Sequence, residues 1–302
     1  MNINTVGEIL RFYREKYNLN QNDVCAGICS VSTLSKIENG SKEADSLILE
    51  TLLERIGKEV LQFEMILNDY DYSLWELRRK IEMEIKHNRK ESAKQFLHEY
   101  ETQMPQNNNV HLQYLLYHRL LLDDYSSTDE KCAMANQALE YTCQDIDKAV
   151  LYHETEIELI ILLVQNKCPE AKDGRERLNK ILKVIQNVYT NRRKEAISAK
   201  ILMELTLMEW NDMRYLETIR CADKTIEVIS HSRGIDYVGE VHFIKAKAIE
   251  KYYHGKDWDK GEDNCKNECL MSYYTFDIMK NENGKQEVQK FCEEKLQWQI
   301  IK

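Results

Sequence analysis

Scarcity of glycine and proline narrows the folds open to this chain more than any other feature. Its 302 residues contain ten Gly and two Pro, with no Gly between Gly57 and Gly174. Strand-and-turn architectures are punctuated by these residues. Here the intervals are filled by Leu, Glu, Lys, Ile and Ala, which favour helix after helix. The sequence therefore predicts an all-α protein. At this length the expectation is two globular parts, or a small domain followed by a repeat array. An apolar fraction of 43% with 31% charged residues fits a folded rather than a disordered chain.

Nine cysteines could suggest a disulfide framework. The number is odd, the opening residues do not form a charged-then-apolar leader, and a chain of this size needs no staples. Reduced thiols in the cytoplasm are the expectation. No run reaches the roughly 18 consecutive apolar residues of a membrane span, so no membrane partner is expected.

The segment "TVGEILRFYREK" from Thr5 to Lys16 puts Val6, Ile9, Leu10 and Tyr13 at helical spacing and Arg11, Arg14 and Lys16 on the other side. Asn20 can cap a short second helix carrying Val24 and Cys25 inward, and Gly27 permits a sharp turn. Ser30 can cap a third helix, on which Leu34 and Ile37 define the buried side. An advance of about 100° per residue leaves Ser32, Ser35, Lys36 and Asn39 opposite. Two helices joined by a tight glycine turn, the second showing hydroxyls and a lysine, match the helix-turn-helix arrangement that enters a major groove. Small hydroxyl side chains allow close approach to base edges, while Lys36 and the helix N-terminal amides can meet phosphates. Asn39 and Gly40 end this helix. Asp45 or Ser46 caps the next, and Gly57 closes it.

Taken together, "VGEILRFYREKYNLNQ" and "GICSVSTLSKIENG" resemble the N-terminal domain of the Rgg and PlcR type of peptide-pheromone receptor, within the wider Xre-like helix-turn-helix class. The resemblance covers about residues 5 to 68. It implies a phosphate contact for Gln21, DNA reading at Ser32, Thr33 and Lys36, and an ion pair between Arg11 and Glu38 that orients helices one and three. The candidate DNA-facing set is Gln21, Val31, Ser32, Thr33, Ser35, Lys36 and Asn39. Residues 1 to 68 hold seven Lys or Arg against ten Asp or Glu, but up to Lys42 the balance is five against four. Any basic stripe is local, and modest affinity per monomer predicts a homodimer on a two-fold DNA site.

Beyond Asn68 a repeat is visible. Similar amphipathic helices begin at Ala93, Ala135, Leu178, Cys221 and Cys265, at spacings of 42, 43, 43 and 44 residues. Longer helices precede them at Leu74–His87, His111–Asp124, Lys148–Gln165, Lys194–Trp210 and Tyr237–His254. About five helical hairpins in a tetratricopeptide-like α-solenoid follow, with Pro105, Pro169, Gly234, Gly255 and Gly284 in the connections. The predicted division is an N-terminal five-helix domain at 1–68 and a repeat domain at 69–302 for peptide binding and dimerisation.

The family resemblance implies that the repeats cup a short secreted and reimported peptide. Aligning the hairpins stacks Tyr114, Ile157, Ile201 and Ile244 as core, beside Gln113, Glu156, Lys200 and Phe243 on a candidate groove face. One turn on lie Tyr117, Ile160, Glu204 and Lys247, with Asn211 near the end of its helix. Gln113, Tyr117, Glu156, Lys200, Glu204, Asn211 and Lys247 are the candidate peptide contacts. Their plainer reading is as solvated or interhelix polar groups.

Catalytic chemistry has no positive sign. "HETEI" at 153 to 157 has the outline of a zinc-protease helix, but position 157 is isoleucine. Cys25 with Cys29 and Cys265 with Cys269 lack further ligands at zinc spacing. No phosphate-cradling glycine loop occurs, and no cofactor or metal is expected. The reading is a peptide-controlled transcription regulator, not an enzyme. The alternative is a repeat-based protein adaptor without a peptide switch. A phosphatase of the response-regulator type is disfavoured, because such relatives resemble the chain only beyond the helix-turn-helix.

Overall fold

Four helices, each opened by a short polar residue, build the N-terminal part. Helix α1 is Val6–Lys16, α2 Gln21–Cys25, α3 Val31–Glu38 and α4 Ser46–Arg55. Thr5 and Glu8 form a reciprocal capping box on α1, as do Asn20 and Asp23 on α2. The Ser30 hydroxyl accepts from the Thr33 amide, and Asp45 from the Ile48 amide. These caps satisfy N–H groups that have no partner inside a helix. Leu10, Val24, Leu34, Leu52, Leu53 and Ile56 form the buried centre. Gly7 lets α1 cross α3 closely, since a Cβ there would lie 1.8 Å from the Ile37 carbonyl oxygen.

The computed structural model describes residues 5–58, 69–124, 126–146, 148–169, 173–189, 193–231, 237–255 and 257–300. Among the described residues the chain has fifteen helices and no strand, which is the all-α architecture expected. A fifth helix of the N-terminal domain would fall at 59–68, outside the described residues, as does Gly234. The helices group into two compact units, Met1–Asn191 and Arg192–Lys302.

In the first unit, three hairpins follow α4: α5 (Asp69–Lys86) with α6 (Lys90–Gln103), α7 (Asn109–Leu122) with α8 (Thr128–Glu140), and α9 (Glu154–Gln165) with α10 (Gly174–Val188). The second unit holds α11 (Arg193–Asn211) with α12 (Tyr215–His231), α13 (Val238–Tyr253) with α14 (Trp258–Ile278), and α15 (Glu282–Lys295). The five expected hairpins are thus present, together with a final helix that the repeat spacing did not announce. Ala93, Ala135, Leu178 and Cys265 are buried where paired helices cross; in the fourth repeat the buried small residue is Ala222, one position beyond Cys221.

Three expectations need correction. Helix α9 starts at Glu154, not Lys148, because Leu151 and Tyr152 are buried in a non-helical approach and the Lys148 amide is held by Asp145. Gly284 lies inside α15, where its amide donates to the Asn281 cap and a Cβ would press on Phe276. The cysteines are not all free thiols: Cys132 and Cys168 are bonded, with Cα atoms 5.7 Å apart. Antiparallel packing of α8 on α9 brings these residues together across 36 positions, a pairing invisible to sequence spacing.

Within the first unit the helix-turn-helix part is bolted to the hairpins by buried polar contacts. Arg55 at the end of α4 donates to the Val24 and Ala26 carbonyls at 3.0 and 2.7 Å and to Glu156 of α9 at 2.7 Å. Side-chain exposure is 3% for Arg55 and 0% for Glu156. Glu156 also accepts from the Thr142 hydroxyl and the His153 amide. Burial opposes its ionisation, but the Arg55 charge prevails and holds the carboxyl below its usual range. Burial pushes His153 down to about 4, so its ring is neutral at pH 7. Gly27, at φ +74°, approaches the Thr142 backbone so closely that a Cβ would sit 1.9 Å from its carbonyl oxygen.

A second bolt joins Asp45 to His111 of α7 at 3.2 Å, with the Tyr100 hydroxyl on the other ring nitrogen at 2.6 Å. Burial works against the Asp45 charge, but the His111 contact and the Ile48 amide hold the carboxyl below its ordinary value. Arg78 of α5 reaches Ser46 at 3.0 Å and Glu50 at 3.3 Å.

Removing one partner of the Arg55–Glu156 pair leaves a buried uncompensated charge. Arg55→Met is therefore expected to cost about 3–5 kcal/mol in chemical denaturation of the first unit. Arg55→Met combined with Glu156→Gln is expected to cost clearly less than the sum of the two single changes.

Candidate nucleic-acid interface

Helix α3 owes its orientation to one buried carboxylate. Glu38, with 3% side-chain exposure, accepts from Arg14 Nε at 2.6 Å and Nη2 at 2.9 Å, and from the Gln21 side-chain amide at 2.8 Å. The contact joins α1, α2 and α3 at a single point. Arg14 also donates to the Leu19 carbonyl at 3.2 Å, tying in the chain between α1 and α2. The expected Arg11–Glu38 pair is therefore replaced by Arg14–Glu38. Arg11 lies one helical step away on the exposed side and pairs with Glu15 at 2.8 Å. The pair is bidentate and largely desolvated, so its contribution exceeds that of an exposed ion pair.

With Leu34, Ile37 and Glu38 turned inward, α3 presents Val31, Ser32, Lys36 and Asn39 as exposed residues, with Thr33 and Ser35 half-buried beside them. These six positions share one open helix face. The Ser30 and Thr33 hydroxyls bond at 3.0 Å, fixing the first turn. Asn39 caps the C-terminal end, its side-chain oxygen accepting from the Ser41 amide and hydroxyl at 3.1 and 2.6 Å. Among the described residues, Lys36 has no carboxylate within ion-pair distance. Gln21 opens α2 next to this face, but the amide expected to meet phosphate donates to Glu38.

The candidate peptide residues divide differently. In the first unit, Gln113 is buried and donates to the Ala138 carbonyl and Thr142 hydroxyl at 3.0 and 2.7 Å. Glu156 is buried against Arg55. These two do not face an open groove: they hold the loop after α8, and burial without such partners would be costly. The HETEI stretch is likewise a helix start, with His153 and Glu156 in a capping box. Tyr117 is half-buried. In the second unit, Tyr114's counterparts Ile201 and Ile244 are core as expected, Glu204 is buried, Lys200 is half-buried and Asn211 is exposed. Phe243 is also buried. Lys247 lies 4.5 Å from the Phe243 ring centre and 5.4 Å from that of Trp210. Desolvation there pushes its ammonium below the usual value. Arg14 and Arg55 were the functional side chains that pattern reading missed. Arg14 was grouped with the polar side of α1, but at 100° per residue it falls beside Leu10 and Gly7, the buried face of that helix.

Residues 10–63 match the helix-turn-helix family HTH_3. No curated protein matches by sequence comparison. The chain is thus a helix-turn-helix protein carrying helical repeats. Its fold is similar to that of PlcR from Bacillus thuringiensis, solved with the peptide PapR7 and DNA, at TM-score 0.58 and 16% identity over 95% of this chain and 99% of that one. The apo form of PlcR aligns at TM-score 0.56 and 16% identity, covering 94% of this chain and 97% of that chain. The competence regulator ComR of Streptococcus vestibularis, in its apo form, aligns at TM-score 0.53 and 14% identity, covering 95% and 96%.

The two arginines of α1 separate the expected from the observed geometry. Arg14→Ala strands Glu38 and is expected to destabilise the fold by about 2–3 kcal/mol. Arg11→Ala is expected to leave the urea midpoint unchanged, and the comparison is made by denaturation of both variants side by side.

Proposed function

We propose that the chain is a DNA-binding transcription regulator whose helical repeats bind a short signalling peptide, and that it acts as a homodimer on a two-fold operator. The observation that carries the reading is the open face of α3, with its hydroxyls and Lys36, on a domain matching the helix-turn-helix family. The fold shared with PlcR, which was solved with both a peptide and DNA, supports the second half. In this role the chain works in the cytoplasm and catalyses no reaction. A pure adaptor has no use for an uncovered α3 face.

Gln21, Val31, Ser32, Thr33, Ser35, Lys36 and Asn39 are the proposed DNA contacts. Lys36 meets phosphate, the Ser32 and Thr33 hydroxyls approach base edges, and Gln21 serves through its second amide hydrogen and its carbonyl oxygen. For the peptide, Lys200, Asn211 and Lys247 of the second unit remain proposed contacts. Peptide binding alters DNA affinity only to the extent that the peptide prefers one arrangement of the protein, and the effect is reciprocal.

Footprinting on candidate operators with and without peptide tests the whole reading; protection that never depends on peptide removes the switch. Lys36→Ala is expected to weaken operator binding about five- to tenfold and to reduce the salt slope by about one, measured in a gel-shift salt series. Ser32→Ala is expected to relax preference at a single base pair while sparing the slope. For the peptide, Lys247→Met is expected to weaken binding at least about tenfold in calorimetry, the loss expected when a desolvated cation no longer meets a carboxylate. An unchanged affinity excludes Lys247 from the site.

A further inference from the structure

The Cys132–Cys168 bond is separate from both the α3 face and the proposed peptide contacts. Cys132 is the fifth residue of α8, and Cys168 lies three residues past the end of α9. Both are buried. The two helices form an antiparallel hairpin whose loop, described at 141–146 and 148–153, touches the helix-turn-helix part. There the Thr142 hydroxyl bonds Glu156, Gln113 bonds Thr142, and the Asn109 amide donates to the Tyr141 and Gly27 carbonyls at 2.8 and 3.3 Å. The hairpin is therefore fixed at its loop end by the anchor of Arg55 and at its open end by the sulfur bridge.

Among nine cysteines this is the one bonded pair; the other seven are free. Cys143, at the loop end of the same hairpin, is buried as a lone thiol.

We propose that Cys132 and Cys168 are a reversible thiol–disulfide pair, oxidised by a hydroperoxide, whose closure stiffens the hairpin on which the helix-turn-helix part is seated. One thiolate attacks the terminal peroxide oxygen, the O–O bond breaks, and the sulfur becomes a sulfenic acid as water or an alcohol leaves. The second thiol attacks that sulfur, the S–S bond forms and a water is released. Two electrons pass from the thiols to the peroxide. Reduction by a dithiol returns the same two electrons through a mixed disulfide.

The test uses the full-length protein, fully reduced and then exposed to hydrogen peroxide. Thiols are trapped by alkylation in denaturant and mapped by mass spectrometry. Expected is a Cys132–Cys168 peptide pair in the oxidised sample, absent from the reduced one, with Cys143 alkylated in both. Closing a loop of 36 residues is expected to raise the thermal midpoint by roughly 5–10 °C. Hydrogen exchange of amides in α9 and the 141–153 loop is expected to slow about tenfold or more on oxidation. Cys132→Ser and Cys168→Ser, each folded by circular dichroism, are expected to behave like the reduced protein under both conditions. Alkylation of both cysteines after peroxide treatment overturns the pairing. A mapped bond with unchanged exchange in α9 and its loop overturns the coupling to the seat of the helix-turn-helix part.

Discussion

The Arg55 guanidinium is the most deeply buried tie between the helix-turn-helix part and the hairpins of the first unit. It leaves the end of α4, satisfies two carbonyls at the start of the helix-turn-helix turn, and ends on Glu156 of the third hairpin. One side chain thus closes the small domain internally and attaches it to the repeats. Its burial makes the arrangement nearly all-or-none: the charge is costly without Glu156, and Glu156 is costly without the charge. Gly27 belongs to the same device, because only a residue without Cβ lets the turn lie against the Thr142 backbone. The domain that presents α3 and the hairpins that follow it therefore share one cooperative unit, which is why the compact division falls after α10 rather than at the end of the helix-turn-helix domain.

Most of this architecture was legible in the chain. Asn20, Ser30 and the Asp45–Ser46 pair announced helix starts because each offers an oxygen to an unpaired amide, a local effect that survives any tertiary context; Thr5 caps α1 in the same way without having been singled out. The hairpins were legible because a solenoid repeats its small packing residues at nearly constant intervals, and Ala93, Ala135 and Leu178 are buried as that logic requires. The fourth repeat shifted by one, to Ala222, because neighbouring Cys and Ala are both small enough to satisfy the pattern. Helix α15 was not legible from the period, since it is a lone helix rather than the first half of a hairpin.

The candidate sites were legible only in part. Apolar periodicity sets which way α3 faces, so the exposure of Ser32 and Lys36 followed from Leu34 and Ile37. The partner of Glu38 did not follow, because Arg11 and Arg14 stand close on the same helix and the choice depends on how steeply α1 crosses α3, which Gly7 permits. Gln113 and Glu156 misled for a related reason. A polar residue beside a core position reads as groove-facing, yet here both satisfy the loop after α8 and the incoming Arg55. A long-range ion pair has no sequence period to betray it, and neither has a disulfide spanning two helices.

The acidic balance of the chain counts for less at α3 than the whole-chain charge suggests. What a phosphate senses is the charge within about 8–10 Å, the screening length at ordinary ionic strength. Near α3, Glu38 is neutralised and buried by Arg14, and Glu15 is engaged by Arg11. Lys36 and Lys42 are exposed on or just beyond the helix, with Glu43 exposed beside Lys42, so the local positive charge near α3 rests mainly on Lys36. Turning a carboxylate inward does two things at once: it orients α3 and removes a negative charge from the surface proposed to approach DNA. On the proposed DNA-binding role, a substitution of Arg14 acts on recognition as well as stability, because it both loosens α3 and returns the Glu38 charge to the proposed DNA face.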